Sequence, residues 1–391
     1  MSELVTTTID PVPSIAGQAT VIATARSRPA GAHHGPVVWL RKNLFGSILS
    51  SVATILFGVL IVYWGWGFLD WAVVNAVWSV PDGANGQPDV SACRDAKGVG
   101  ACWAVIHEKY RFILFGRYPF EEQWRPCIVV LLFIGLYAVS AWRRFWRKEL
   151  VLVWVATLTL IGILMWGGFA GLTWVPQDQW GGLPLTLILA TFGLAFAFPL
   201  AVVVALGRRS TQLPAVKAIC VLYVELIRGV PLITLLFMAS VMFPLFLPDG
   251  MNIDKLLRAQ VAIILFAGAY LAEVVRGGLQ ALPKGQYEAA DALGLSYWKK
   301  TGFIVLPQAL RIVIPPLVGT FIGFFKDTSL VLIIGLFDLL SAGKIAVSEP
   351  QWAAYSTEVY ITLAFIYFLF CYTMSRYARG LESEFARARN R

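Results

Sequence analysis

Charge is scarce in this sequence. Asp, Glu, Lys and Arg make up 14% of its 391 residues, where an ordinary soluble domain carries roughly a quarter. With 58% apolar residues and a mean hydropathy of +0.69, the chain falls outside the soluble class. Its long uncharged runs read as membrane helices. Three His and five Cys form no metal-ligand cluster and no His-Glu-x-x-His pattern, so no metal is expected. No Gly-x-x-x-x-Gly-Lys-Ser/Thr loop occurs, which excludes binding of nucleotide phosphates by this chain itself. No Gly-x-Ser-x-Gly elbow occurs either, and nothing supports covalent catalysis. No RNA- or DNA-binding motif accompanies the net charge of +9. The lack of an obvious internal repeat argues against an inverted-repeat carrier. The N-terminus shows no signal peptide. Residues 1–43 read as a disordered cytoplasmic tail rich in small and polar residues, with His33 and His34 solvated and inert.

What is present is a set of about eight apolar runs. They cover 44–66, 127–142, 150–174, 182–206, 219–247, 259–275, 309–325 and 355–377. Trp64, Trp66 and Trp71 mark the outer interface of the first, where indoles prefer to sit. Pro199 predicts a kink in the fourth, and Gly229, Pro231 and Pro244 interrupt the fifth. The basic residues fall in the loops of one side. They are Arg41 and Lys42; Arg143, Arg144, Arg147 and Lys148; Arg208, Arg209 and Lys217; Lys284, Lys299, Lys300 and Arg311; and the C-terminal Arg376, Arg379, Arg387, Arg389 and Arg391. With eight spans these loops share one face. The positive-inside rule makes that face cytoplasmic, with both termini inside.

The runs divide the chain in two. Residues 44–176 hold three spans and a long external segment, 68–125, of nearly balanced charge. Residues 180–380 hold five spans and nearly every intramembrane charge, and 381–391 form a basic cytoplasmic tail. Cys93 and Cys102 lie in the external segment, where an oxidising periplasm allows a disulfide or two free thiols. Cys127, Cys220 and Cys371 fall in spans and read as buried small apolar residues.

One polar stretch stands out on the basic side. It runs Glu288-Ala289-Ala290, three residues, Gly294, nine residues, Ile304-Val305-Leu306-Pro307. Pro283 suits a helix start. Glu288, Ala289, Ala290, Ala292 and Leu293 favour helix, Gly294 can end it in the left-handed conformation, and Ser296 can cap a second helix over 297–305. Small side chains at 289, 290 and 292 would let this helix enter a cleft on a partner. An amphipathic linker without a partner is the plainer reading of the residues alone.

Position for position, the stretch resembles the EAA loop of the membrane subunits of ATP-driven importers. Three more stretches extend the resemblance, in order, to the polar amino acid uptake permeases: Glu225-Leu226-Ile227-Arg228-Gly229-Val230-Pro231-Leu232, Tyr270-Leu271-Ala272-Glu273-Val274-Val275-Arg276-Gly277-Gly278, and Phe325-Lys326-Asp327-Thr328-Ser329-Leu330. The resemblance implies an all-α integral membrane protein, a five-helix type I ABC importer permease core preceded by three further helices. It assigns Glu288, Ala289, Ala290, Gly294, Ile304, Leu306 and Pro307 to a coupling helix seated in an ATP-hydrolysing partner. The extra helices and external segment look like the general L-amino-acid type. That type implies a related second permease as heterodimer partner, a dimer of ATP-binding subunits carrying ATP and Mg, and a periplasmic amino-acid-binding protein. No cofactor is expected on this chain. Import would proceed by alternating access in a bacterial inner membrane, surrounded by lipid.

The charges at membrane depth also have a physical reading. Glu225 and Arg228 share a helix face, as do Glu273 and Arg276, and each pair is expected to lower the cost of charge and fix helices beside the coupling loop. About four turns of helix separate Arg311 from Lys326, which places Lys326 and Asp327 in the outer half of the membrane, where charge is costly and usually functional. Lys326, Asp327, Thr328 and Ser329 can line a substrate path for a zwitterion, or form an internal pair that shapes the pore. Two rivals remain: an ion-coupled secondary amino acid carrier using the intramembrane carboxylates, and a lipid-directed membrane enzyme, which lacks a convergent catalytic set. The residues do not say which amino acids are carried.

Overall fold

The computed structural model describes residues 36–83, 86–169, 171–248, 250–251 and 253–389, with side chains from 37 to 384 among these. The chain divides into two units, Met1–Asp70 and Trp71–Arg391. In the first, α1 (Pro36–Leu44) precedes α2 (Ile48–Leu69). The expected disordered tail to residue 43 is therefore too long. Helix begins at Pro36, whose missing N–H costs nothing at a helix start, and Arg41 and Lys42 complement the dipole in its last turn. The rest of that tail, with His33 and His34, lies outside the described residues. Ser47 and Ser50 close a capping box at the start of α2. The helix has 22 uncharged residues and buries none of them, as suits a span facing lipid.

The second unit contains α3 (Ala104–Phe115), α4 (Trp124–Ala141), α5 (Glu149–Trp166), α6 (Gly182–Arg208), α7 (Pro214–Arg228), α8 (Leu232–Phe237), α9 (Lys255–Ala281), α10 (Lys284–Ala292), α11 (Leu306–Asp327), α12 (Leu339–Ala346) and α13 (Ser356–Arg389). Among the described residues seven helices are long and apolar enough to cross a membrane, or eight if one bent pair counts as a span. That pair is α7 and the helical stretch from Leu232 to Phe246, bent by 103° at Gly229 and Pro231, where interruption is expected. The third span stops at Trp166 instead of 174, because Gly167 and Gly168 take φ of 67° and 84° and end the helix. The last span continues as α13 to Arg389, so most of the expected C-terminal tail is helical.

Inside a bilayer, helices are held by close van der Waals contact more than by escape from water. The centre of this unit follows that rule. Ala197, Ala201 and Ala205 of α6 and Ala259, Ala262 and Ala269 of α9 are buried, so the two backbones approach closely. α9 also packs on α11, where a side chain at Gly278 would meet Val313 at 2.2 Å. Cys127 is exposed on α4, and Cys220 and Cys371 are half-buried. None is the fully buried residue expected: Cys127 lies on an outward face, and Cys220 and Cys371 pack against the edge of the core.

The stretch from Cys93 to Arg125 is bound to one end of this core. Cys93 and Cys102, both buried, form a disulfide with Cα atoms 5.4 Å apart. The Cys102 N–H donates to Glu358 Oε1 of α13 at 2.9 Å. Arg125 at the start of α4 is fully buried. It lies 2.9 Å from Glu122 and donates to the Thr173 carbonyl and hydroxyl at 2.8 Å each. A Cβ at Gly182 would sit 2.1 Å from the Leu114 carbonyl oxygen, and one at Gly116 2.6 Å from Gly181 Cα, so α3 meets α6 backbone to backbone. Buried Asp338 caps α12 through the N–H groups of Leu340 (3.1 Å) and Ser341 (3.0 Å). Burial pushes its carboxyl above the usual range, and the bonds from Ser341 and Leu340 oppose that rise. At the opposite end Arg143 pairs with Glu384, and α6, α9 and α10 converge.

Candidate functional site

α10 is the Lys284–Ala292 helix, KGQYEAADA. Pro283 is its N-cap rather than its first helical residue. Gly294 ends it with φ +66°. Its N–H donates to the Asp291 carbonyl at 2.9 Å, and that of Leu295 reaches back to Ala290 at 3.2 Å. This pattern is a Schellman motif, and it requires a residue that tolerates the left-handed region. Of the alanines, Ala290 turns inward and is buried, while Glu288 and Ala289 face out. Ser296 occupies the next N-cap position without a side-chain cap bond. The expected 297–305 helix forms as one α turn (Tyr297–Lys299) and a π-helical stretch (Lys300–Val305) that runs into α11. Leu306 and Pro307 open α11, and Ile304 is half-buried beside them.

The outward surface of this loop mixes charged residues with three large apolar ones. Leu293, Trp298 and Phe303 are 76%, 77% and 78% exposed. Three large apolar side chains around a small-residue helix, on a polar connector, have the character of a covered surface. Lys300 ties the loop to itself through Asp291 at 2.5 Å.

The loop is also tied to α9 and to the end of α6. The Tyr287 hydroxyl donates to the Leu279 carbonyl of α9 at 2.8 Å. Arg209, next after α6, donates to the same carbonyl and to the Tyr287 oxygen, each at 2.8 Å. Tyr287→Phe removes the hydroxyl from this three-way contact, at about 1 kcal/mol by the usual net value of one hydrogen bond. The expected result is a several-fold lower transport rate with unchanged ATP binding in the assembled complex, measured by vesicle uptake. Neither Arg209 nor Tyr287 is singled out by motif. The only signal in the sequence is a second Arg beside Arg208 and an aromatic residue one position before Glu288.

Two turns along α9 lies a charged cluster. Glu273 accepts from Arg276 Nε at 3.0 Å and from Arg208 Nη1 at 2.9 Å, with Arg228 at 3.9 Å. The Glu273–Arg276 pair forms as expected from its spacing. The Glu225–Arg228 pair does not. Glu225 goes to Arg208 at 2.9 Å and Arg228 goes to Glu273, because the long Arg208 side chain from the end of α6 reaches both carboxylates. The result joins α6, α7 and α9 where two separate intrahelical pairs are expected.

The last group spreads out. Lys326 is exposed and Asp327 half-buried at the end of α11. Thr328 is buried and donates to the Phe325 carbonyl at 2.8 Å, while Ser329 donates to the Lys326 carbonyl at 2.7 Å. Both hydroxyls thus serve the backbone of the turn. Ile312, Pro316, Gly319, Gly323 and Lys326 recur at steps of four and three along α11 and so share a face. A Cβ added at Gly319 or Gly323 would meet nothing within 4 Å, which leaves that face open.

Residues 197–387 match the family described as binding-protein-dependent transport system inner membrane component. Over 375 residues the sequence is 48% identical to the Escherichia coli K12 inner membrane amino-acid ABC transporter permease protein YhdY, covering 93% of this chain and 97% of that one. The chain belongs to this permease family. It is also 36% identical to the Rhodobacter capsulatus glutamate/glutamine/aspartate/asparagine transport system permease protein BztC, over 90% of this chain and 94% of that one. A solved amino acid ABC transporter with histidines aligns at 32% identity and a TM-score of 0.47, over 52% of this chain and 92% of that one.

Permeases of this family are multi-pass inner-membrane subunits of ATP-driven importers. Hydrolysis lies on a separate subunit and substrate arrives on a binding protein, so the permease is not itself an enzyme. Among the described residues no group of three His, Cys, Asp or Glu could hold a metal ion.

Proposed function

We propose that this permease forms half of the pore of an importer for L-amino acids and receives the power stroke through α10. The observation that carries this reading is the exposed Leu293, Trp298 and Phe303 around Glu288 and Ala289, on a loop bonded directly to α6 and α9. Glu288, Ala289 and the apolar rim seat in the ATP-binding subunit. Ala290, Gly294, Ile304, Leu306 and Pro307 shape the loop. The two relatives named above are an amino-acid permease and a glutamate/glutamine/aspartate/asparagine permease, which supports a substrate of the amino-acid class. Nothing in the relatives favours the ion-coupled carrier.

The open face of α11 meets a second, related permease, and the path runs along it. Lys326 there takes the substrate carboxylate and Asp327 its ammonium, with Thr328 and Ser329 shaping the turn behind them. ATP and Mg act on the partner ATPase dimer, and a periplasmic amino-acid-binding protein delivers substrate. Both termini lie on the cytoplasmic side, as the basic loops require.

Proteoliposomes test the reading. Uptake is expected only when permeases, ATPase, binding protein and ATP are all present. Uptake by this chain alone under a proton or sodium gradient would overturn it. Lys326→Met is expected to lower uptake about tenfold, the scale of one lost charge-assisted contact, with the assembly intact. Full transport by that variant would remove Lys326 from the path.

A further inference from the structure

The turn between α4 and α5 reads Trp142-Arg143-Arg144-Phe145-Trp146-Arg147-Lys148. Nothing in the pore or coupling machinery uses it. Arg143 is paired with Glu384, whereas Arg144, Arg147 and Lys148 have no carboxylate within 4 Å among the described residues. The one acid in the stretch is Glu149, which begins α5. Behind the cations lies a shallow cleft of about 500 Å³ lined by Trp146, Arg147, Leu150, Val151 and Trp154. Its two indoles are held in place by one residue. Trp146 Nε1 donates to the Ser140 carbonyl at 2.8 Å and Trp154 Nε1 to the Ser140 hydroxyl at 3.0 Å. The walls are therefore set before any ligand arrives, and what remains exposed is apolar surface below and positive charge above.

We propose that this cleft binds one anionic phospholipid of the leaflet nearest α10. An acyl chain lies along Leu150, Val151 and Trp154, and the headgroup phosphate meets Arg147, with Arg144 and Lys148 supplying the surrounding positive field. The charge argument favours a lipid over a soluble anion. Three free cations attract any phosphate, but only an amphiphile also covers the apolar floor, and the site sits where a span enters the membrane. Indoles fixed at a membrane interface serve the same purpose. Each cation near an anionic surface strengthens binding roughly fivefold.

The test is native mass spectrometry of the whole importer purified from membranes containing phosphatidylglycerol, with thermal unfolding to verify folding. One retained phosphatidylglycerol per copy of this chain is expected. The triple variant Arg144→Gln, Arg147→Gln, Lys148→Gln is expected to reduce retention at least tenfold. Leu150→Trp, which fills the cleft and leaves every charge, is expected to do the same. Lys217→Gln, a change of exposed charge elsewhere, is expected to have no effect. Retention by either cleft variant overturns the site, as does equal loss with Lys217→Gln. Displacement of the lipid by millimolar inorganic phosphate would also overturn it, by showing that the anion alone is recognised.

Discussion

Ala289→Trp is expected to abolish ATP-driven uptake, by at least about 100-fold, while the chain still folds and inserts. Ala289 is exposed on α10, so an indole there extends away from the chain's own core. It instead occupies the space assigned above to the proposed ATPase contact. Tight protein contacts tolerate little added volume, and misfit at a central contact costs several kcal/mol of association. Ala290→Trp makes a different comparison. Ala290 is buried, and bulk there strains the loop itself. Co-purification of the ATPase separates the two: Ala289→Trp should yield folded permease without ATPase. Retained ATPase and normal uptake would show that α10 is not the docking element.

The second large effect concerns Glu273. Glu273→Gln removes the negative charge shared by three guanidiniums, Arg208, Arg228 and Arg276, and leaves Glu225 as the remaining carboxylate of the cluster. Breaking a fully buried pair costs about 3–5 kcal/mol. Glu273 is 27% exposed, so screening reduces this to about 2–3 kcal/mol. Glu225→Gln is the control. That side chain is 61% exposed, and its loss should cost less than about 1 kcal/mol. Thermal unfolding of the detergent-solubilised permease gives the order. Equal effects would mean that Glu273 is not the hub.

The Glu273 cluster also shows how far the sequence could be read. The spans were legible because long uncharged runs have one physical use. The shape of the 283–307 loop was legible because its helix, its left-handed stop and its exit into α11 each need particular residues at particular spacings. Glu273 and Arg276 were legible because three residues along a helix is a neighbour relation. Glu225 was misassigned because spacing within a helix says nothing about an arginine arriving from another helix. Arg208 looked like an ordinary basic loop residue and became a cross-brace only when α6 and α9 were laid side by side. The Arg209–Tyr287–Leu279 contact was hidden for the same reason, since one partner is a backbone carbonyl that no motif can mark. At Thr328 the side chain chose its own turn over the open space, a choice made by local geometry and not by residue type.

The early part of the chain gave the least away in sequence, with a wide external segment and few motifs. Its attachment to the core nonetheless includes a contact that leaves no room for a side chain. Where α3 crosses α6 at Gly116 and Gly182, not even a methyl group fits. Deleting everything before residue 124 would uncover the start of α6. Any change of shape that parts α3 from the start of α6 would have to break this backbone-to-backbone contact first.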